Sequence, residues 1–134
     1  MPTTLLEKVK AARRVYICGN GGSYVNAQHI ANDWESVGIR AHVLNPASLT
    51  RTANDEGYEY VFSRWIMLHG ERGDLLIALS GSGKSLNILN AIEAARLIGM
   101  DIYRVFGAEL GQDMQTAEQH QLIIGHEIYK ALKK

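Results

Sequence analysis

The sequence predicts an α/β protein, a three-layer sandwich whose parallel sheet is covered by helices on both faces. Two observations carry that prediction. Short runs rich in branched apolar residues alternate with longer stretches of helical spacing. Two of the short runs also stop in glycine and serine and pass straight into a helical stretch, the join that a parallel strand makes with its crossover.

In chain order, a helical stretch at 4–12 leads to a first strand at 15–19, VYICG, which is apolar up to its closing glycine. A helix over 23–37 separates it from a second strand at 40–44, and a helix over 58–69 precedes a third at 74–80. Leu86, Leu89, Ile92, Ala95 and Ile98 then step by three and four along one stripe, the mark of a helix buried on one side. The fourth strand is read at 102–107 and a closing helix at 115–132. Two prolines, no repeat and no low-complexity tract give no sign of a linker, so residues 1–134 are read as one domain.

A chain of 134 residues can bury about two-thirds of its open surface, enough for its own core. Fourteen basic and fourteen acidic residues leave a formal charge of +0, which removes the electrostatic case for a nucleic-acid or anionic-membrane partner. Any anion must then be held locally. The single cysteine, Cys18, rules out an internal disulfide framework and suits the reducing cytoplasm. No apolar run reaches the roughly 18 residues of a membrane span, and the opening residues lack the apolar core of a signal peptide.

The first strand runs into Gly19-Asn20-Gly21-Gly22-Ser23. Small residues there leave backbone amides accessible at a helix N-terminus, where the amides and the dipole can hold an anion. It is not the dinucleotide fingerprint, because Tyr24 stands where the third glycine belongs. The third strand runs into Ser80-Gly81-Ser82-Gly83-Lys84-Ser85, with hydroxyls and amides enough for a phosphate. Two such turns at the carboxyl ends of neighbouring strands face one crevice, where open α/β sheets bind ligands. Residues 78–85 also come near a nucleotide-binding P-loop, with Ala78 in place of the first glycine, which makes an ATPase a second reading. Against it, the fourth strand ends Arg104-Val105-Phe106-Gly107, without the aspartate that would hold magnesium.

His29 and Asp33 lie four residues apart and so project from one face of the first long helix. Glu118 and His126 lie eight apart on the last, separated by about 80° around its axis. Two imidazoles and two carboxylates make a zinc-type donor set if the two helices meet.

Taken together, these segments resemble the sugar isomerase (SIS) domain family, in the subgroup that interconverts sedoheptulose 7-phosphate and glycero-manno-heptose 7-phosphate. The resemblance rests on Gly19-Asn20-Gly21-Gly22-Ser23 with Asn26-Ala27-Gln28-His29, and on Ala53-Asn54-Asp55-Glu56-Gly57-Tyr58 with Val61-Phe62-Ser63-Arg64. Ser80 to Ser85 with Asn87, and the stretch from Glu118 to His126, complete it. It implies that Asn20, Gly21, Gly22, Ser23, Ser80, Gly81, Ser82 and Ser85 bind the sugar phosphate and that Asn54 and Asp55 line the sugar pocket. It further implies zinc on His29, Asp33, Glu118 and His126, with Asp33 and His126 catalytic, in a homo-oligomer (dimer or tetramer).

Some positions depart from the family pattern. Asp33 stands where the family carries a glutamate, which draws its carboxylate back by about 1.5 Å, and Glu118 stands where it carries a glutamine. These departures keep a non-catalytic phosphosugar-binding or regulatory module as the alternative. Only about a dozen residues precede the first strand, where the family has a long helix, and ten lie between Gly107 and Glu118, where it has a fifth strand. A flavodoxin-like sheet of four strands ordered 2-1-3-4 is therefore expected.

Overall fold

The computed structural model describes residues 3–133. Its elements are α1 (Leu5–Ala11), β1 (Val15–Cys18), α2 (Gly22–Glu35), β2 (Ala41–His42), α3 (Pro46–Asp55), α4 (Val61–His69), β3 (Leu75–Ser80), α5 (Leu86–Ile98), β4 (Asp101–Phe106) and α6 (Met114–Leu132). The strands form one parallel sheet in the order β2-β1-β3-β4, as expected. Val15 stands beside both Ala41 and Leu75, and Ser80 beside Phe106, which fixes β1 and β3 as the central pair.

Every residue of β1 and of β3 is buried, as continuous apolar runs are when both faces of a parallel sheet are covered. Tyr16, Cys18, Leu76 and Ala78 face a core built with α3, α4 and α5 around Phe62, Ile66, Ile88 and Ile92. Val15, Ile17, Leu75, Ile77 and Leu79 face the opposite core, built with α1, α2 and α6 around Val9, Ile30, Trp34 and Ile128. Alternate residues thus point to opposite layers. No helix among the described residues is long and apolar enough to cross a membrane.

Helix α1 opens on a capping box in which Thr4 and Glu7 satisfy each other's backbone amides. Asp113 caps α6 by accepting from the Thr116 N–H at 2.8 Å, and that bond holds its carboxyl below the usual range. Helix α5 stops at Gly99, which takes the left-handed conformation that glycine adopts without cost.

The structure differs from the sequence reading at α3. Asn45 accepts from the Ser48 N–H at 2.9 Å and Pro46 opens the helix, so ten residues read as a connection are helical. The second strand shrinks from 40–44 to two residues, and the Leu44 carbonyl takes the Tyr24 hydroxyl instead of a ladder bond. The helix read at 58–69 begins as a 3-10 turn at Tyr58–Tyr60 before α4.

Candidate functional site

Because β1 and β3 are parallel neighbours, the turns that follow them emerge side by side at the carboxyl edge of the sheet. Gly21 sits between β1 and α2 at φ 54° and ψ −121°, a backbone conformation open to glycine and strained for any side chain. The two turns are tied together. Asn20 Nδ2 donates to Asn87 Oδ1 at 2.9 Å and Asn87 Nδ2 returns the bond to Asn20 Oδ1 at 2.9 Å. Asn87 is 3% exposed in the first turn of α5, so the reciprocal amide pair sits largely out of water. Tyr58 adds a third bond, its hydroxyl donating to Asn20 Oδ1 at 2.7 Å.

In the second turn the hydroxyls of Ser80 and Ser82 accept from the backbone N–H groups of Gly83 and Lys84, at 2.9 and 3.1 Å. These bonds hold the loop curled. Ser82 is exposed, Ser85 half-buried and Lys84 exposed. Ser23 is buried, and its Oγ accepts from Gln121 Nε2 at 3.0 Å. Beside the first turn a cleft of about 260 Å³ is lined by Asn20, Gly21, Tyr24, Leu49, Thr50 and Tyr58 among others. Burial pushes the Tyr24 phenol up, so it remains a protonated donor there. Asn54 and Asp55 lie exposed at the end of α3, bonded to each other at 3.0 Å, whereas the part of α3 that lines the cleft is its first half.

Helix α6 lies on α2 through buried polar contacts. Gln121, 1% exposed, accepts from Asn26 Nδ2 at 2.9 Å while donating to Ser23. Asn26 Nδ2 also reaches the Glu118 carbonyl at 2.9 Å, and Trp34 Nε1 donates to the Gly125 carbonyl at 2.9 Å. Gly125 permits the approach, since a Cβ there would stand 2.5 Å from Ile30 Cγ1.

This docking brings His29, Asp33 and His126 together. Asp33 Oδ2 lies 3.3 Å from His29 Nε2 and 3.8 Å from His126 Nε2, and the two ring nitrogens are 3.5 Å apart. One oxygen and two nitrogens at these separations are a donor group that could hold a metal ion. The side chains are 53%, 28% and 48% exposed, open to a ligand from solvent. Glu118 is not in this group of three. Its carboxylate lies over Gly22, where an added Cβ would come within 2.2 Å of Oε2, at the mouth of the first turn.

Sequence reasoning passed over Gln121, Trp34 and Gly125. A signal was available for Gln121, a polar residue on the buried stripe Ala117, Gln121, Gly125 and Ile128 of α6.

The architecture defines a class first: a doubly wound α/β domain in which two glycine- and serine-bearing turns lie side by side at the carboxyl edge of a parallel sheet. Residues 3–107 match the family model described as SIS domain, and the chain belongs to the SIS domain family. It is 41% identical over 118 residues to the phosphoheptose isomerase of Rhodospirillum rubrum, with 82% of this chain and 63% of that protein covered. It is 40% identical over 121 residues to the phosphoheptose isomerase of Photorhabdus laumondii, with 85% and 63% covered. The chain thus spans a little under two-thirds of the length of these curated relatives. In fold it is similar to phosphoheptose isomerase GmhA from Neisseria gonorrhoeae, with a TM-score of 0.86, 24% identity and coverage of 96% and 80%. It is also similar to the Vibrio vulnificus NanR protein complexed with ManNAc-6P, with a TM-score of 0.70, 14% identity and coverage of 96% and 52%.

Proposed function

We propose that residues 1–134 form one phosphosugar-binding unit that isomerises sedoheptulose 7-phosphate to glycero-manno-heptose 7-phosphate. The observation that carries the reading is that the Gly19–Gly22 turn, tied to the Ser80–Ser85 turn through the Asn20–Asn87 amide pair, opens the helix whose His29 and Asp33 meet His126 of α6. The rise of α2 sets His29 about 10 Å along the axis from Gly22. A seven-carbon sugar ester spans about 10 Å between its phosphorus and its far carbonyl carbon. The crevice can therefore hold the phosphate while the carbonyl end meets the ionisable group.

In this mechanism the turns of Asn20 to Ser23 and Ser80 to Ser85 bind and orient the phosphate through amides and hydroxyls, and the sugar is bordered by Leu49 and Thr50 of α3 rather than by Asn54 and Asp55 at its exposed end. Isomerisation moves a proton between adjacent carbons, which asks for a base and an acid at those carbons and their oxygens. Asp33 and His126 exchange those protons, and Glu118, poised over Gly22, faces the substrate between phosphate and carbonyl. His29, Asp33 and His126 are the residues that would hold zinc, while Glu118, with its carboxylate over Gly22, stands outside that set. A bound metal supplies Lewis-acid polarisation of the carbonyl. The half-exposure of both imidazoles supports a homo-oligomer in which a second chain walls the site, and the lone thiol of Cys18 supports a cytoplasmic setting.

The test is His126→Ala. Turnover of sedoheptulose 7-phosphate should fall by at least about a hundredfold while binding of the sugar phosphate persists. Unchanged turnover would remove His126 from the reaction. The second reading, a non-catalytic phosphosugar-binding module, is favoured by one observation: Asp33 Oδ2 is already engaged by both imidazoles, so as a base it stands less free. That reading expects tight binding with no turnover in the unaltered protein.

A further inference from the structure

The chain contains seven asparagines, and only Asn20 precedes a glycine. Glycine has no Cβ to obstruct its own nitrogen, so an Asn-Gly step is where a backbone amide most readily attacks the side chain before it. We infer that Asn20 is a site of spontaneous deamidation, held in check by the hydrogen bonds that Tyr58 and Asn87 make to its side chain.

The reaction needs no partner but water. The Gly21 nitrogen attacks the Asn20 side-chain carbonyl carbon and a carbon–nitrogen bond forms, closing a cyclic imide. The bond to the side-chain nitrogen breaks, and that nitrogen leaves as ammonia with the proton that Gly21 gives up. Water then opens the ring at either carbonyl, leaving aspartate or isoaspartate.

Attack requires the Asn20 side chain to swing over the Gly21 nitrogen, and the structure opposes this at several points. Its Oδ1 accepts from Tyr58 at 2.7 Å and from Asn87 at 2.9 Å, and its Nδ2 donates to Asn87 at 2.9 Å. The backbone is held as well. The Asn20 carbonyl accepts from the Ser23 N–H at 2.9 Å, and the Gly21 carbonyl from those of Tyr24 and Val25 at 3.0 and 3.1 Å. Deamidation therefore proceeds through local opening of this turn, and its rate reports how often the turn opens.

Conversion would also damage the crevice. An aspartate at position 20 keeps its acceptor role toward Tyr58 but loses the donor that served Asn87 Oδ1, so two oxygens face each other across the turns. It also places a negative charge where the crevice is built for an anion, which weakens phosphate binding by an order of magnitude or more. This last consequence rests on the function proposed above, while the modification itself does not.

The experiment incubates the intact protein in neutral buffer at 37 °C and follows the peptide containing residues 20 and 21 by mass spectrometry, beside the same chain in urea. Conversion at Asn20 is expected to be at least tenfold slower in the folded protein. Loss of one bond in Tyr58→Phe should speed it about fivefold, and loss of both Asn87 bonds in Asn87→Ala about thirtyfold. The Tyr58→Phe change removes only an oxygen from a half-exposed side chain, so folding is retained even if Asn87→Ala impairs it. Equal rates in buffer and urea, or a Tyr58→Phe rate equal to the parent's, would overturn the inference. Failure of the protein to bind sugar phosphates would sink the proposed function and leave these rates unaltered.

Discussion

Replacing Gly125 with alanine sets two known effects against each other at the point where α6 meets α2. Alanine favours a helix interior over glycine by about 1 kcal/mol. The added Cβ, however, would stand 2.5 Å from Ile30 Cγ1, 3.1 Å from Cδ1 and 3.4 Å from Cγ2. Ile30 is 4% exposed and sits among Ala27, Trp34, Ile77 and Ile128, so it has no room to retreat. Overpacking of this kind costs about 2–3 kcal/mol, which exceeds the gain. The net loss of about 1–2 kcal/mol corresponds to a melting midpoint about 4–7 °C lower for a chain of this length. The helices must also part, which stretches the bond from Trp34 Nε1 to the Gly125 carbonyl and draws the adjacent His126 away from His29 and Asp33. Calorimetry gives the midpoint, and a zinc titration against a chelator should show affinity reduced at least tenfold. A higher midpoint with undiminished zinc affinity would refute this account of the helix contact.

Other outcomes follow from the same packing. Gln121→Ala removes the partner of two buried groups, Ser23 Oγ and Asn26 Nδ2, and should cost about 2–4 kcal/mol in urea unfolding; a loss under about 1 kcal/mol would deny the bridge its role. Burial pushes the Cys18 thiol up to about 12, so Ellman's reagent at mild alkaline pH should label the unfolded chain promptly and the folded chain only as fast as it opens. Burial first, and then the Arg14 guanidinium 3.1 Å away, holds His42 below the ordinary imidazole value. Its contribution to stability is therefore whole above the unfolded value of about 6.5 and declines as pH falls through the depressed folded value. The urea midpoint should drop between about pH 8 and pH 5, and less so in His42→Gln; an equal drop in both would exclude His42 as its source.

The architecture was readable because strand and helix here obey different apolar periods. The VYIC and LLIALS runs could only be central strands, and the Leu86-to-Ile98 stripe could only be a helix packed on one side. Helix α3 escaped notice because its ten residues have none fully buried, so it lacks the stripe that marks the others. Its caps, Asn45 and Pro46, were the remaining clue. At the site, spacing alone put His29 and Asp33 on one face, but nothing in spacing says that α6 lies on α2. That contact is fixed by Gln121, Asn26 and Trp34, side chains whose roles depend on partners more than ninety residues away.

The position of His126 has a consequence for the order in which the molecule can become competent. It sits 97 residues from His29 and rides on the final helix. During synthesis the sheet and both glycine-serine bends can assemble before that helix leaves the ribosome, yet the imidazole pair cannot form until it does. A cation bridging the pair would close a loop of 97 residues, and so act as a late latch between α2 and α6.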